Sequence, residues 1–196
     1  MFYSRPADEV APDLLGKLLV VRRGGTISSG RIVECEAYLG EADRASHAAR
    51  GRTPRTETLY GAPGTAYVYL IYGIYELFNA VCQPTGVPHA VLVRAVELVH
   101  APDSVRGDGP GRLSRALGIT RADNGLQLTG PPVSVHDAPA VTAVGVTPRV
   151  GVGYAGVWAD APLRFLAEGS AAVSRPPRAR LGSGQPPASP RDPNRG

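Results

Sequence analysis

Residues 31–39 read RIVECEAYL, and their alternation limits the possible folds more than any other stretch. Successive side chains of a strand point to opposite faces. Ile32, Glu34, Glu36 and Tyr38 then share one face, and Val33, Cys35, Ala37 and Leu39 the other. One face reads as core. The other carries two carboxylates and a ring, which predicts a sheet with a packed side and a side open to solvent or chemistry.

A second stretch, AYVYLIYGIYELFN at 66–79, holds four of the eight tyrosines: Tyr67, Tyr69, Tyr72 and Tyr75. It reads as a strand with a turn at Gly73. The rings suit either a half-buried strand or a surface that stacks on, or wedges between, flat ligands. Further strands are predicted in HAVLVRAVEL and APLRFLAEGS, and a hairpin at RRGGTISSG, whose glycines accept positive φ. PADEVAPDLLGKLLVVR predicts a short helix, started by Asp8 or Pro12 and running into a strand. GPGRLSRALGI reads as a loop feeding a helix, VTPRVGVGYAG as a glycine-punctuated segment, and residues 40–64 as a long irregular loop of the functional kind. The pattern is α+β: one compact mixed domain over residues 1–175, with a curved, mostly antiparallel sheet and short surrounding helices. A Pro/Arg-rich tail over 176–196 is expected to be disordered.

Composition narrows the function. No apolar run nears the ~20 residues of a membrane helix, and MFYSRPADEV has no apolar leader core, so a cytoplasmic, nucleoid-associated protein is expected. Cys35 and Cys82 are the only cysteines and sit in apolar contexts, which predicts buried free thiols. Residues 175–196 carry five arginines against Asp192, which accounts for the whole formal net charge of +4. The body is neutral, yet RASHAARGRTPR groups Arg44, Arg50, Arg52 and Arg55 with no acid between them. Such a cluster on a neutral body suggests a directed contact with phosphates, or else a solvated loop.

The chemistry-bearing residues form a small set. Glu36 shares a face with Tyr38, and a carboxylate there can serve as a general base. Glu34 and Glu36, ~7 Å apart along one face, could also imitate the carboxylate pair of a glycosidase. His47, His89, His100 and His136 show no metal-ligand spacing. There is no Walker loop, no GxSxG and no GxGxxG after a strand. The only lysine, Lys17, lies in LLGKLLV, a poor setting for a Schiff base. What remains is a base-type glutamate, an arginine-rich loop with a histidine, and a tyrosine cluster. Flat rings stack on bases, arginines hold phosphates, a bulky side chain fills the gap left by an extruded nucleotide, and a carboxylate activates water.

At that point a family resemblance becomes visible. RIVECEAYLGEADRASHAARGRTPR, then GTAYVYLIYGIYELFN and AVLVRAVE, then GPGRLSRALGI and TPRVGVGYAGVWADAPLRF, resemble the alkyladenine (3-methyladenine) DNA glycosylases, the type II 3-methylpurine glycosylases, in family order from Phe2 to Ser174. The resemblance implies a single mixed α/β domain without metal or cofactor. It implies that Glu36 activates the hydrolytic water, with Arg94 and the main-chain carbonyl of Val150 as its other holders. Tyr38 and Tyr69 would sandwich the flipped base, and His47 would close a third side and hydrogen-bond its edge. Asn79 would crowd the 2-amino group of guanine. Tyr72 would enter the minor groove in place of the base, flanked by Ile74 and Tyr75, while Arg50, Arg52 and Arg55 meet the DNA. The substrate implied is duplex DNA with damaged purines: 3-methyladenine and 7-methylguanine, with hypoxanthine and ethenoadenine also in the family's range. The product would be an abasic site, made by a monomer. Glu34 reads as structural or as a support to the site. One departure is GSAAVS at 169–174, where the family usually has a bulky aromatic after Gly-Ser. Two rivals make other demands: a non-catalytic damaged-DNA-binding module needs no Glu36, and a sugar hydrolase needs both Glu34 and Glu36.

Overall fold

The longest strand organises the sheet. In a computed structural model of the chain, which describes residues 2–102 and 104–174, β2 (Thr26–Leu39) lies at its centre. Along one edge it pairs with β5 (His89–His100). Along the other, its first half pairs with β1 (Leu18–Arg23) and its second half with β9 (Arg164–Ala167). Beyond β5 lie β4 (Tyr75–Cys82) and β3 (Ala66–Ile71). Beyond β1 come β7 (Val133–His136) and β6 (Thr129–Gly130), and β8 (Val144–Thr147) pairs with β9. Every pairing is antiparallel, and the curved sheet with its two short helices is the predicted α+β domain. The predicted tail at 176–196 lies outside the described residues.

The helices cover one face of the sheet. In α1 (Ala7–Leu14), Ala7, Val10, Ala11 and Leu14 are buried, the i, i+3, i+4, i+7 spacing of a single apolar stripe. Neither expected start holds: the helix follows Pro6, and Pro12 lies inside it. Helix α2 (Pro110–Leu117) begins with its proline in the first turn, where a missing N–H costs nothing. It buries Leu113, Ala116 and Leu117 and ends at Gly118. The main core joins these helices to Cys35, Ala37, Leu39, Phe78, Ala80, Val91 and Val93. Cys35 and Cys82 are buried free thiols, as expected.

Two expectations about β2 need correction. Its alternation breaks at Val33: the pairing Ile32–Val96 is followed by Glu34–Ala95 and then Cys35–Val93. One extra residue on β2 (Val33) is compensated by one on β5 (Arg94), a pair of bulges. Ile32 therefore joins the main core with Cys35, while Val33 packs with Ala95 and Ala167 on the other side. Nor is the carboxylate side open to solvent: Glu34 and Glu36 are both fully buried. The loop at 40–64 is also more ordered than predicted, with 3-10 turns at Gly40–Ala42, His47–Arg50 and Glu57–Tyr60. In the GSAAVS stretch, Ala172 packs against the Val33 cluster.

The register sets up the site. Asn79 on β4 faces Tyr67 on β3 and Leu92 on β5, and Leu92 faces Glu36 on β2, which faces Arg164 on β9. Residues directly opposite share a sheet face, so one row carries Tyr67, Asn79, Glu36 and Arg164. With strands ~4.8 Å apart, Asn79 and Glu36 stand about 10 Å from each other across Leu92.

Candidate active site

Glu36 is held by two hydrogen-bond donors, with a cation close by. The Val150 N–H donates to Oε1 at 2.7 Å, and the Tyr38 hydroxyl to Oε2 at 2.9 Å. Arg94 Nε stands 3.4 Å from Oε1. Charge-assisted bonds of this length fix the carboxylate's orientation. Burial first, and the neighbouring Glu36 carboxylate second, push the Tyr38 phenol well above its ordinary range, so it stays a donor. Above these groups opens a cleft of about 810 Å³ whose lining includes Tyr38, Tyr72, Leu77, Leu92, Arg94 and Val150.

His47, Tyr67 and Tyr69 form a separate aromatic group. His47 leaves the 3-10 turn that Ser46 caps by accepting from the Ala48 N–H. Its Nδ1 lies 2.9 Å from the Tyr67 hydroxyl, and its ring meets Tyr69 edge-on with centroids 4.4 Å apart. Tyr67 is core: it packs with Ala48, Leu59, Tyr60, Val81 and Ala90 and lies 5.3 Å from the Tyr69 ring. Burial, then Arg55 and Arg50, lower the His47 pKa to about 4, so the imidazole is neutral at pH 7. Asn79 is buried between strands, its Nδ2 donating to the Tyr67 carbonyl at 3.1 Å.

Tyr72, Ile74 and Tyr75 lie apart from this interior, on the hairpin between β3 and β4. They are 83%, 70% and 48% exposed, a rare concentration of bare apolar surface. Tyr72 and Gly73 have φ of 53° and 72°, as in a type I′ turn, and Ile74 N–H closes it onto the Ile71 carbonyl at 3.2 Å. The β1–β2 hairpin meets a similar demand with Gly24 and Gly25, both at positive φ. A tyrosine in that conformation costs backbone energy that a glycine avoids. Tyr75 leans on α2, where Gly111 makes room: a Cβ there would fall 2.7 Å from the ring.

The arginine loop divides. Arg50, Arg52 and Arg55 are all exposed. Arg52, however, is engaged: it pairs with Glu57 at 2.6 Å and covers the Tyr60 ring. Arg55 reaches back to the Leu70 carbonyl at 3.4 Å.

Sequence reasoning missed what stands behind Tyr38. Arg149 and Asp43 form a fully buried ion pair, Arg149 Nη2 meeting Asp43 Oδ1 at 2.8 Å. Arg149 Nη1 also donates to the Ala37 carbonyl at 2.8 Å, and its guanidinium lies 4.7 Å from the Tyr38 ring centroid. One face of that ring is thus fixed by a cation. The signal was adjacency alone, since Arg149 precedes Val150. For Val150 the contact found is its N–H to Glu36, rather than anything involving its carbonyl. Among the described residues, no group of three or more His, Cys, Asp or Glu is placed to hold a metal ion, and no helix is long and apolar enough to cross a membrane.

Comparison with known proteins identifies the family. The family model described as Methylpurine-DNA glycosylase (MPG) matches residues 1–171. A Myxococcus xanthus (strain DK1622) protein named "Putative 3-methyladenine DNA glycosylase" is 54% identical over 179 residues, 90% of this chain and 92% of that protein. Proteins of the same name from Anaeromyxobacter dehalogenans (strain 2CP-C) and Methanocella arvoryzae are 53% and 45% identical, covering 89% of this chain and 85% and 94% of their own lengths. With the family model spanning nearly all of the body, this chain belongs to the methylpurine-DNA glycosylase family.

Proposed function

We propose that this DNA glycosylase flips a damaged purine out of duplex DNA and hydrolyses its N-glycosidic bond with water activated by Glu36. The observation that carries the reading is the carboxylate itself: fully buried, oriented by Val150 N–H and Tyr38 OH, and set below a cleft that reaches the exposed Tyr72 hairpin. Tyr72 is the wedge that replaces the extruded nucleotide, with Ile74 and Tyr75 against the groove. The base enters between Tyr38 and Tyr69. Two ring faces favour a cationic alkylpurine, whose glycosidic bond is already weakened. Neutral His47, its Nδ1 turned to Tyr67, keeps Nε2 for the base edge, and Asn79 disfavours the 2-amino group of normal guanine.

Glu36 deprotonates or orients the water that attacks C1′ and opposes the positive charge growing on the sugar. Arg94 and the Val150 carbonyl complete the water's hold. With no amine nucleophile in the set, the product is an abasic site in an intact strand. Arg50, Arg52 and Arg55 meet phosphates, Arg52 by giving up its Glu57 partner. 3-Methyladenine and 7-methylguanine are the expected lesions, with hypoxanthine and ethenoadenine as neutral substrates, and the enzyme acts as a monomer.

The test is base release from duplex oligonucleotides that each carry one of these lesions. Free damaged base and an alkali-labile site, without cleavage before alkali, are the expected result. Binding to every lesion with no base released from any would overturn the reading in favour of a recognition module.

A further inference from the structure

Glu34 is as deeply buried as Glu36, two residues away. Its contacts are unusually complete. Oε1 accepts from Arg94 Nε at 2.8 Å, Arg164 Nε at 2.7 Å and Ser174 Oγ at 3.0 Å, and Oε2 accepts from Ser174 N–H at 2.6 Å. Arg164 closes the ring onto the Ser174 carbonyl at 2.6 Å, and Arg94 Nη2 reaches Ser174 Oγ at 3.2 Å. The bulge that puts an extra residue at Arg94 aims that side chain between the two carboxylates.

Arg94 faces a choice, and distance decides it. A direct N–H···O bond needs about 2.7–3.2 Å between heavy atoms. Nε meets that with Glu34 at 2.8 Å and misses it with Glu36 at 3.4 Å. Arg164 and Ser174 already serve Glu34, so the bond from Arg94 exceeds what burying one carboxylate requires. Its effect falls on Arg94 and Glu36 instead. Nε is committed to Glu34 and Nη2 to Ser174, while Nη1 makes no hydrogen bond among the described residues and Arg94 lines the cleft. Glu36 keeps only neutral donors, Val150 N–H and Tyr38 OH, in direct contact.

We propose that Glu34 is a positioning residue for base excision: with Arg164 and Ser174 it holds Arg94 off Glu36, leaving a Glu36 lone pair for water and an Arg94 N–H aimed into the cleft. The proposal rests on the reading that Glu36 activates the water. Without the Glu34 charge, two buried guanidiniums, Arg94 and its neighbour Arg164, face Glu36 alone. In a weakly polarisable interior that attraction is strong, and Arg94 closes onto the oxygen the water needs. Ser174, 140 residues along the chain from Glu34, makes the C-terminal end of the body part of the site.

Single-turnover excision and lesion-duplex affinity test it in wild type, Glu34→Gln, Glu34→Asp, the charge-balanced double variant Glu34→Gln/Arg164→Met, and Glu36→Gln. Glu34→Gln is expected to slow excision at least tenfold with affinity changed less than threefold, and Glu34→Asp to recover most of the rate. The double variant, relieved of its uncompensated cation, is expected to stay folded and remain slow. Wild-type rates in Glu34→Gln or the double variant overturn the proposal. So does a loss that follows only the folded fraction in thermal melts. Full activity in Glu36→Gln would instead overturn the underlying reading of the site. A silent Glu36→Gln beside fully active Glu34 variants would overturn this proposal alone.

Discussion

Several charged side chains are buried around the candidate site, among them Glu34, Glu36, Asp43, Arg94, Arg149 and Arg164. Asp43 and Arg149 are both inaccessible and meet in two hydrogen bonds behind Tyr38. Removing one partner leaves the other charge stranded, a loss of about 3–5 kcal/mol for pairs of this kind. Asp43→Ala is expected to lower unfolding free energy by about that amount in urea titration; a loss under about 1 kcal/mol would mean water reaches Arg149. His47 makes a pH prediction. Its folded pKa, about 4, lies below the ordinary 6.5, so the unfolded chain takes up a proton that the folded one refuses. The His47 contribution to stability is then whole above about pH 6.5 and is lost as the pH falls toward about 4. Melting temperature is expected to drop more between pH 7 and pH 5 in wild type than in His47→Asn; equal drops would contradict a buried neutral imidazole.

The hairpin joining β3 to β4 departs, at the level of an element, from local preference. Positive φ at Tyr72 is a position for glycine or asparagine, as Gly24 and Gly25 illustrate one hairpin earlier. Tyr72→Asn is expected to leave melting temperature unchanged or slightly raised, while weakening lesion-duplex binding at least tenfold. Destabilisation, or unaltered binding, would contradict a strained residue kept for its ring. The same elements show what a sequence displays and what it hides. The longer strands, the two hairpins and α2 followed from alternation, turn glycines and a loop-to-helix pattern, because those signals are local, whereas the short strands β6, β7 and β8 carried no such signal. The break at Val33 was not legible: a bulge arises from the mismatch between β2 and β5, and no residue of RIVECEAYL announces it. That break explains why Ile32 is core and why Arg94 reaches two carboxylates.

Across the whole molecule, distant segments converge on one strand. β2 pairs with β9 through Glu34–Leu166 and Glu36–Arg164, more than a hundred residues apart, and Val150 and Ser174 close on the same two carboxylates. The fold cannot lose its C-terminal third without opening the site, so one cooperative unfolding transition is expected. Fluorescence of the sole tryptophan, Trp158, buried beside Arg149, should change at the same urea concentration as the far-ultraviolet signal of the sheet. Separate midpoints would show that the two halves unfold independently. Convergence of this kind also limited the sequence reading of the site. Glu36, Tyr38, His47 and the tyrosine string were visible as motifs and through family resemblance. The Val150 N–H, the Arg149–Asp43 support and the Ser174 closure depend on long-range contacts that spacing does not encode. The most direct test of the whole is single-turnover base release by Glu36→Gln beside wild type on a duplex with one 7-methylguanine, with binding measured in parallel. Wild-type release with a silent mutant that still binds the lesion is the predicted result. Release by Glu36→Gln at the wild-type rate would contradict a water-activating role for Glu36.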